Sequence, residues 1–178
     1  MKDIERVLIT ADEIAARIQE VAAELDECYR GKEPIAICVL KGSIVFFADL
    51  LRAMKTPVAM EFMKVSSYGS GTTSSGTLSV TLDLLVDIEG KDILIVEDII
   101  DSGNTMYALK QILTDRKPAS LRMVTLLDKP ARRTADVSPD FTCFEIEDEF
   151  VIGYGLDYAE RYRDLPYVGI LSRSVYEN

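Results

Sequence analysis

Residues 91–105 read KDILIVEDIIDSGNT, an apolar run that leads directly into acidic and small polar residues. The run Lys91–Ile100 is typical of a strand buried on both faces, as the strands of parallel sheets are. A turn at residues 101–103 follows, and a helix is predicted from about Asn104 to Leu113. In an open parallel sheet, ligands bind beyond the carboxyl ends of the strands, where the following helices begin. This stretch therefore predicts the centre of the fold and the place of a binding site.

The rest of the chain extends this alternation of strands and helices. Thr10 and Glu13 have the spacing of a capping box, and apolar residues then recur at helical spacing as far as Cys28. The apolar run Ile35–Leu40 predicts a buried strand, and Ser43 is expected to cap a helix to about Met54, with Ile44, Phe47, Leu51 and Met54 inward. Further strands are predicted at residues 58–63, 77–86, 121–127, 141–146, 150–154 and 167–171. The order is typical of an α/β domain with a parallel sheet.

Length and charge restrict the class of protein. A chain of 178 residues with 48% hydrophobic and 28% charged residues fits one globular domain. Because 30 acids exceed 20 bases, the formal charge is -10, which argues against non-specific binding to nucleic acid or to an anionic membrane. No apolar run is long enough for a membrane helix, and the N-terminus does not resemble a signal peptide. We expect a cytoplasmic protein.

The chain contains no histidine. That absence excludes nucleophiles activated by an imidazole, zinc sites with histidine ligands and an imidazole base. The three cysteines, Cys28, Cys38 and Cys143, form no CxxC pair and are predicted to be reduced thiols partly in the core. Acid-base chemistry must therefore come from Asp, Glu, Lys, Tyr or Cys.

Residues Ser66–Gly76 read SSYGSGTTSSG, and all except Tyr68 are Gly, Ser or Thr. Such a stretch buries little apolar surface and cannot offset the entropy of ordering it, so a mobile loop is predicted. A domain linker is the alternative. A lid is favoured because a strand-like segment follows at once and neither flank is long enough for a separate domain.

The acids and hydroxyls of residues 97–105 carry the clearest chemical signal. Glu97 and Asp98 lie at a strand end, where carboxylates are costly unless they meet a cation or sugar hydroxyls. The hydroxyls of Ser102 and Thr105, with the free N–H groups of a helix start, can hold a phosphate, and Gly103 is expected to let it approach the backbone. Magnesium bridging to a phosphorylated ligand would satisfy the acids. The alternative is an ordinary helix cap beside a solvated turn.

VEDIIDSGNT at residues 96–105 resembles the phosphoribosyl-pyrophosphate signature of the type I phosphoribosyltransferases. Further stretches are similar to the 6-oxopurine branch of that family, and the likeness covers about residues 5–172: LKGS at 40–43, SSYGSG at 66–71, LLDKPARR at 126–133 and FVIGYGLDYAERYRDLPYVG at 150–169. The resemblance implies the type I phosphoribosyltransferase fold, with a central mostly parallel sheet flanked by helices and a small hood built from the chain ends. It also implies one domain over residues 1–178, with a lid at about 66–76 and a purine-binding hood segment at about 141–172.

The resemblance further implies an activity with Mg²⁺ as cofactor. The 5-phosphoribosyl group of phosphoribosyl pyrophosphate is transferred to a 6-oxopurine, hypoxanthine or guanine or both, which gives IMP or GMP and pyrophosphate in purine salvage. By likeness, Glu97 and Asp98 hold the ribose hydroxyls and the metal, while Asp101, Ser102, Gly103, Asn104 and Thr105 hold the 5-phosphate. Asp101 also corresponds to the catalytic group that accepts the proton of purine N7.

The remaining family motifs imply roles at the two ends of the ligand. The backbone of Leu40, Lys41 and Gly42 is expected to face pyrophosphate together with the side chain of Arg163. Lys129 would donate to the exocyclic oxygen of the purine, Phe150 would stack on the base, and the backbones near Val151 and Asp157 would meet its other edge. Asp157 would also be a ligand of a second metal ion, and Arg133 would have a supporting role. Ser67 and Tyr68 would belong to the lid.

Three other interpretations stay open from the sequence. A regulator on the same fold would sense phosphoribosyl pyrophosphate and bind nucleic acid, for which the charge of -10 is unsuited. A phosphoribosyltransferase for another base is disfavoured by Lys129, with xanthine the least excluded. A structural oligomerisation module would leave the acids and the loop unexplained. The resemblance implies small-molecule partners and a homodimer or homotetramer, without nucleic acid or membrane.

Overall fold

The computed structural model describes residues 3–67 and 78–176. The elements in chain order are β1 (Ile4–Ile9), α1 (Ala11–Cys28), β2 (Ile35–Val39), α2 (Ile44–Ala53), β3 (Ala59–Ser67), β4 (Leu78–Leu82), β5 (Asp92–Ile100), α3 (Asn104–Thr114), β6 (Ser120–Asp128), a 3-10 turn (Pro130–Arg132), β7 (Phe141–Glu145), β8 (Val151–Ile152), β9 (Val168–Leu171) and α4 (Arg173–Tyr176). Among the described residues, none of the helices has the length and the apolar character that a bilayer span requires.

The main sheet has six strands in the order β4-β3-β2-β5-β6-β7. All neighbouring pairs are parallel except β3 and β4, which are antiparallel. Strand β5 lies in the middle, between β2 and β6, as its continuous apolar run predicts. The mostly parallel α/β sheet is therefore confirmed, and the acidic end of β5 lies at its centre.

The two faces of this sheet are covered by different helices. Cys38 and Leu94 belong to the cluster that α1 and α2 complete, whereas Ile37 and Ile95 pack in a second cluster with α3. All four side chains are 0% exposed, and burial of such a side chain contributes about 1.5–3 kcal/mol. Alternate residues of each strand thus serve opposite cores, which holds the strand ends in fixed positions.

A second sheet of three antiparallel strands, in the order β1-β9-β8, forms the hood. It joins the two ends of the chain, because Ile4 pairs with Leu171 and Ile9 with Val168. The hood is confirmed. Its first strand was not among the predicted elements, since β1 is short and its partner is remote in the sequence.

The beginnings of the first two helices differ. The capping box is confirmed, since Glu13 N donates to Thr10 Oγ1 at 3.3 Å and Thr10 N donates to Glu13 Oε2 at 2.8 Å. Ser43 is the N-cap residue of α2, as predicted, but its side chain makes no capping bond, because its buried hydroxyl donates to the carbonyl of Val39 at the end of β2. The predicted inner face of α2 is wrong in part. Ile44 is 45% exposed, and the buried residues are Phe46, Phe47 and Leu50.

The predicted loop is shorter at its start than its composition indicates. Ser66 and Ser67 lie in β3, where they pair with Ser79 and Leu78 of β4. The rest of the predicted lid, including Tyr68, lies outside the described residues.

The cysteines are free thiols, as predicted, with Cys38 and Cys143 buried and Cys28 half-buried. Burial raises the pKa of Cys38 to about 11 and that of Cys143 to about 12. Both therefore stay protonated at neutral pH, which leaves them without thiolate chemistry.

Candidate active site

The end of β5 and the start of α3 enclose a pocket of about 140 Å³. The predicted site residues Glu97, Asp101, Ser102, Gly103 and Thr105 line it, together with three apolar neighbours. The pocket lies where the carboxyl end of the central strand meets a helix N-terminus, the position that open parallel sheets reserve for ligands. The structure thus brings the acids and the hydroxyls of this motif together.

Glu97 and Asp98 are adjacent acids in an environment that disfavours two negative charges. The Oε2 atom of Glu97 is buried and has no hydrogen-bond partner among the described residues. Burial raises the pKa of Glu97 well above its usual range, and the carboxylate of Asp98 raises it further. Burial also raises the pKa of Asp98 to about 6, although the N–H of Ile99 donates to its Oδ1 at 2.7 Å. Such a pair is suited to a divalent cation, which would satisfy the unpaired oxygen.

The turn after β2 is packed tightly between these acids and the hood. A Cβ atom on Gly42 would lie 1.6 Å from Asp98 Oδ2, and one on Gly155 would lie 2.0 Å from the carbonyl oxygen of Gly42. Leu40 and Lys41 are joined by a cis peptide bond in the same turn. Gly42 therefore lies tightly between Asp98 of β5 on one side and Gly155 of the hood on the other.

The N-terminus of α3 has no side-chain cap. Its N-cap residue, Gly103, has a left-handed φ of 83°, and the cap position makes no side-chain hydrogen bond. Only the N–H of Asn104 has a weak local acceptor, Ser102 Oγ at 3.4 Å. The first N–H groups of the helix can therefore bind an anion, and the helix dipole favours one.

The expected reason for Gly103 needs correction. A Cβ atom there would lie 2.7 Å from Val137 Cγ1 and 2.9 Å from Arg133 Cδ, so its direction is toward protein and not toward a phosphate. The glycine is required by its φ and by this packing. Arg133 itself donates to the carbonyl of Asp101 at 3.1 Å and pairs with Asp128, which agrees with a supporting role.

Asp101 is paired with an arginine that the sequence did not single out. Arg132 Nε donates to Asp101 Oδ1 at 3.0 Å, and Arg132 Nη1 donates to Asp148 Oδ2 at 3.1 Å. These two acids raise the pKa of Arg132, Asp101 having the larger effect. Asp101 does not cap α3, because Gly103 occupies that position. Arg132 thus connects the pocket to the loop before β8.

Lys129 and Phe150 define the other end of the site. The side chain of Lys129 is 8% exposed, and its Nζ donates to the carbonyl of Glu149 at 2.7 Å. Phe150 is 40% exposed, and its ring stacks on Tyr176 with a centroid separation of 5.0 Å. Val151 is buried in β8, directly after Phe150. The lysine and the aromatic ring thus belong to loops on either side of β7.

Arg163 and Asp157 form an ion pair, which Glu160 connects to the turn at residues 40–42. Arg163 Nη2 lies 2.7 Å from Asp157 Oδ1, and Arg163 Nη1 donates to the carbonyl of Gly155 at 2.8 Å. Glu160 lies beside them, with its Oε2 3.1 Å from Lys41 Nζ and 3.5 Å from Arg163 Nη2. Arg163, which is expected to meet pyrophosphate, and Lys41, whose backbone is expected to face it, are therefore close to one carboxylate.

The structure does not describe every expected group. Among residues 3–67 and 78–176, no three Asp, Glu or Cys side chains are grouped as a metal site, and Asp157, the residue expected at a second ion, pairs with Arg163. The side chain of Ser67 and all of Tyr68 are outside the described residues. Sequence reasoning missed Arg132, Glu160 and Tyr176. Arg132 and Glu160 lie within quoted family motifs, but their partners become adjacent only in the fold.

Comparison with known proteins gives consistent matches. The model of the phosphoribosyl transferase domain matches residues 8–159. The chain is 53% identical over 99% of its length to the hypoxanthine-guanine phosphoribosyltransferase of Bacillus subtilis, of which it covers 98%. It is 48% identical to that of Streptococcus pneumoniae over 99% of this chain and 98% of the relative. A crystal structure of a Staphylococcus aureus hypoxanthine phosphoribosyltransferase is 45% identical, with a TM-score of 0.97 over 99% of this chain and 96% of the other.

Proposed function

This chain belongs to the phosphoribosyl transferase family, and we propose how its residues perform the reaction that it catalyses. That reaction is the transfer of the 5-phosphoribosyl group from phosphoribosyl pyrophosphate to a 6-oxopurine, hypoxanthine or guanine or both. The products are IMP or GMP and pyrophosphate, which makes the chain an enzyme of purine salvage.

The unpaired Oε2 of Glu97, buried beside Asp98 at the end of β5, is the observation that carries the site assignment. Two adjacent acids with raised pKa values need a cation or hydroxyl donors to become favourable. Glu97 and Asp98 fit Mg²⁺ and the ribose hydroxyls, since Mg²⁺ binds one or two carboxylates together with substrate oxygens. When bound, the ion supplies positive charge that stabilises the leaving pyrophosphate. Asp157 is assigned as a carboxylate for a second ion.

The phosphates are held at two places. The uncapped start of α3, with residues 101–105, binds the 5-phosphate through N–H groups and the hydroxyls of Ser102 and Thr105. The backbone of residues 40–42, with Lys41 and Arg163, binds the pyrophosphate. The buried Nε of Arg163 has no partner among the described residues, which supports an anion site there.

The purine lies between β6 and the hood. Lys129 is buried and directed at the loop before β8, so its ammonium can donate to an exocyclic oxygen but gains nothing from a 6-amino group. Phe150 offers its exposed ring for stacking, while the backbones at Val151 and Asp157 meet the other edge of the base.

Asp101 accepts the proton from purine N7. A carboxylate is suited to this task in a chain without histidine. Arg132 orients the carboxylate through its Nε, and the main chain of Asp101 is fixed by Arg133. Ser67 and Tyr68 belong to the lid that excludes water from the reacting ribose.

The protein is assigned to the cytoplasm, as a homodimer or homotetramer. Exposed apolar side chains on β3 and β4, after β4 and at the start of α2 support an interface between copies, since large exposed apolar groups mark interaction surfaces. They include Ile44, Met60, Phe62, Leu82, Leu85 and Val86.

One assay tests the proposed function. Purified protein, magnesium and phosphoribosyl pyrophosphate are offered hypoxanthine, guanine, xanthine, adenine and uracil separately, with a control that lacks the metal. Metal-dependent nucleotide formation from hypoxanthine or guanine, with little from adenine or uracil, is expected. Absence of product from every base, with phosphoribosyl pyrophosphate still bound, would instead favour a regulator.

A further inference from the structure

Glu160 bridges the two cations assigned to pyrophosphate. Its Oε2 lies 3.1 Å from Lys41 Nζ and 3.5 Å from Arg163 Nη2. Lys41 follows β2 and Arg163 precedes β9, so the carboxylate joins residues far apart in the sequence. Lys41, followed by Arg163, also holds the pKa of Glu160 below its usual range, so Glu160 is an anion at neutral pH.

The backbone holds this carboxylate in place. Glu160 has a φ of 61°, and its neighbour Ala159 has a φ of 52°, so two successive residues other than glycine adopt the left-handed conformation. The N–H of Glu160 donates to Asp157 Oδ2 at 2.9 Å, which ties the segment to the acid that pairs with Arg163. The position of Glu160 beside both cations is therefore built into the turn.

We infer that Glu160 competes with pyrophosphate for Lys41 and Arg163 and thereby sets how tightly the site holds the leaving group. A carboxylate and a phosphate oxygen bind the same ammonium and guanidinium donors, so a donor that Glu160 engages is not free for pyrophosphate. This inference rests on the proposed function, which assigns those cations to pyrophosphate.

The competition has a consequence for turnover. In many enzymes product release limits kcat, and a site that holds pyrophosphate too tightly would release it slowly. Glu160 offers the two cations an alternative partner as pyrophosphate leaves. Lys41 and Glu160 are 52% and 65% exposed in their pair, and an exposed pair changes an equilibrium by about two- to fivefold. The two pairs together change affinity for pyrophosphate by up to about tenfold.

The test measures binding of inorganic pyrophosphate in the presence of Mg²⁺ by titration calorimetry. Glu160→Gln and Glu160→Ala are expected to bind it about three- to tenfold more tightly than the unaltered protein. Asp164→Asn is the matched control. Asp164 is exposed, follows Arg163 directly, and forms no ion pair within the described parts of the chain. Asp164→Asn removes one negative charge, as the Glu160 variants do, but it leaves the contacts of Glu160 with Lys41 and Arg163 in place.

The steady-state assay adds a second readout. The two Glu160 variants should show stronger product inhibition by pyrophosphate, with a kcat that is unchanged or lower. The difference from the unaltered protein should shrink as salt rises, because the competing pairs are exposed. A merely structural role for Glu160 would weaken binding instead of strengthening it.

Lys41→Gln separates this inference from the proposed function. If the unaltered protein binds pyrophosphate and Lys41→Gln lowers that affinity, the assignment of the cations stands. The rise in affinity that Glu160→Gln causes must then be mostly lost in the variant that carries both Lys41→Gln and Glu160→Gln. Equal or weaker binding by the Glu160 variants, or an equal gain with Asp164→Asn, overturns the inference alone. If Lys41→Gln leaves the affinity for pyrophosphate unchanged, or if the unaltered protein does not bind pyrophosphate, both the inference and the assignment of the cations are overturned.

Discussion

Arg132 donates from Nε to Oδ1 of Asp101 over 3.0 Å, and from its other nitrogen Nη1 to Asp148. One guanidinium thus spans the start of the phosphate cradle and the loop that carries Phe150. The carboxylate assigned as proton acceptor is oriented by a residue that needs no contact with substrate. Arg132 is accordingly a positioning residue.

Replacement of Arg132 by Gln should lower kcat about tenfold while the KM for phosphoribosyl pyrophosphate changes little, because the groups that we assign to the phosphates do not include this side chain. The pair is about half exposed, so the melting temperature should stay within about 3 °C. Steady-state kinetics and a thermal melt check both. Arg132→Lys should recover part of the rate, and an unchanged kcat in Arg132→Gln would remove the positioning role.

Asp101→Asn should lower kcat by about 10²- to 10⁴-fold, because the amide keeps its shape and hydrogen bonding but cannot take the purine proton. Binding of phosphoribosyl pyrophosphate should persist, since the N–H groups of α3 and the hydroxyls of Ser102 and Thr105 remain. Calorimetry and single-turnover kinetics measure the two effects. Unchanged turnover would exclude Asp101 as the base.

The central part of the fold could be predicted from sequence because its signals are local. Strand β5 can be recognised as an apolar run and helix α3 as a helical period. The acids Glu97 and Asp98 lie near the carboxyl end of β5. Strand β1 could not be predicted in the same way, since it is stabilised by pairing with β9 at the other end of the chain. The inner face of α2 was predicted wrongly in part, at Ile44, because nearly all of the first residues of the helix are apolar, which leaves its period undefined.

The candidate site, like the fold, contains residues that are close together in the sequence and residues that only the fold brings together. Glu97, Asp98 and residues 101–105 are close together in the sequence and could be recognised together, and the pocket brings Glu97, Asp101, Ser102, Gly103 and Thr105 together. Arg132 binds Asp101, 31 positions away, and Glu160 binds Lys41, 119 positions away. No spacing rule links such partners, so only the fold reveals that Asp101 pairs with Arg132 and that Lys41 pairs with Glu160.

Lys129→Ala should weaken binding of IMP or GMP about tenfold or more and leave phosphoribosyl pyrophosphate binding nearly unchanged. The lysine is buried, and a lost charged hydrogen bond to the purine oxygen costs about 1.5–3 kcal/mol. Separate titrations with each ligand check the selectivity. Lys91→Ala, at an exposed lysine just before β5, is the control. Equal losses for both ligands would contradict a lysine that reads the base.

Gly42→Ala should abolish activity even though its backbone is not in the left-handed region. The new methyl carbon would lie 1.6 Å from Asp98 Oδ2, so either the turn or the acid must move away from the ligand. Gly31→Ala is the matched control, because no atom lies within 4 Å of its Cβ position and its φ of 72° makes the cost purely conformational, about 1–2 kcal/mol. Activity assays and thermal melts on both variants are required. Retained activity in Gly42→Ala would show that the contact is not needed.

Glu97→Gln should separate stability from function. Its carboxylate is buried beside Asp98, and Oε2 has no partner among the described residues. Because burial raises the pKa of Glu97 in the folded protein, its charged form destabilises the fold at alkaline pH, and the neutral amide should raise the stability at pH 8. The same change should abolish the rise in melting temperature that magnesium and phosphoribosyl pyrophosphate together give the unaltered protein. Glu89→Gln, an exposed acid, should alter neither quantity. A Glu97→Gln variant that is less stable, or that keeps the full ligand-induced shift, would show that this carboxylate is a structural group and not part of the binding site.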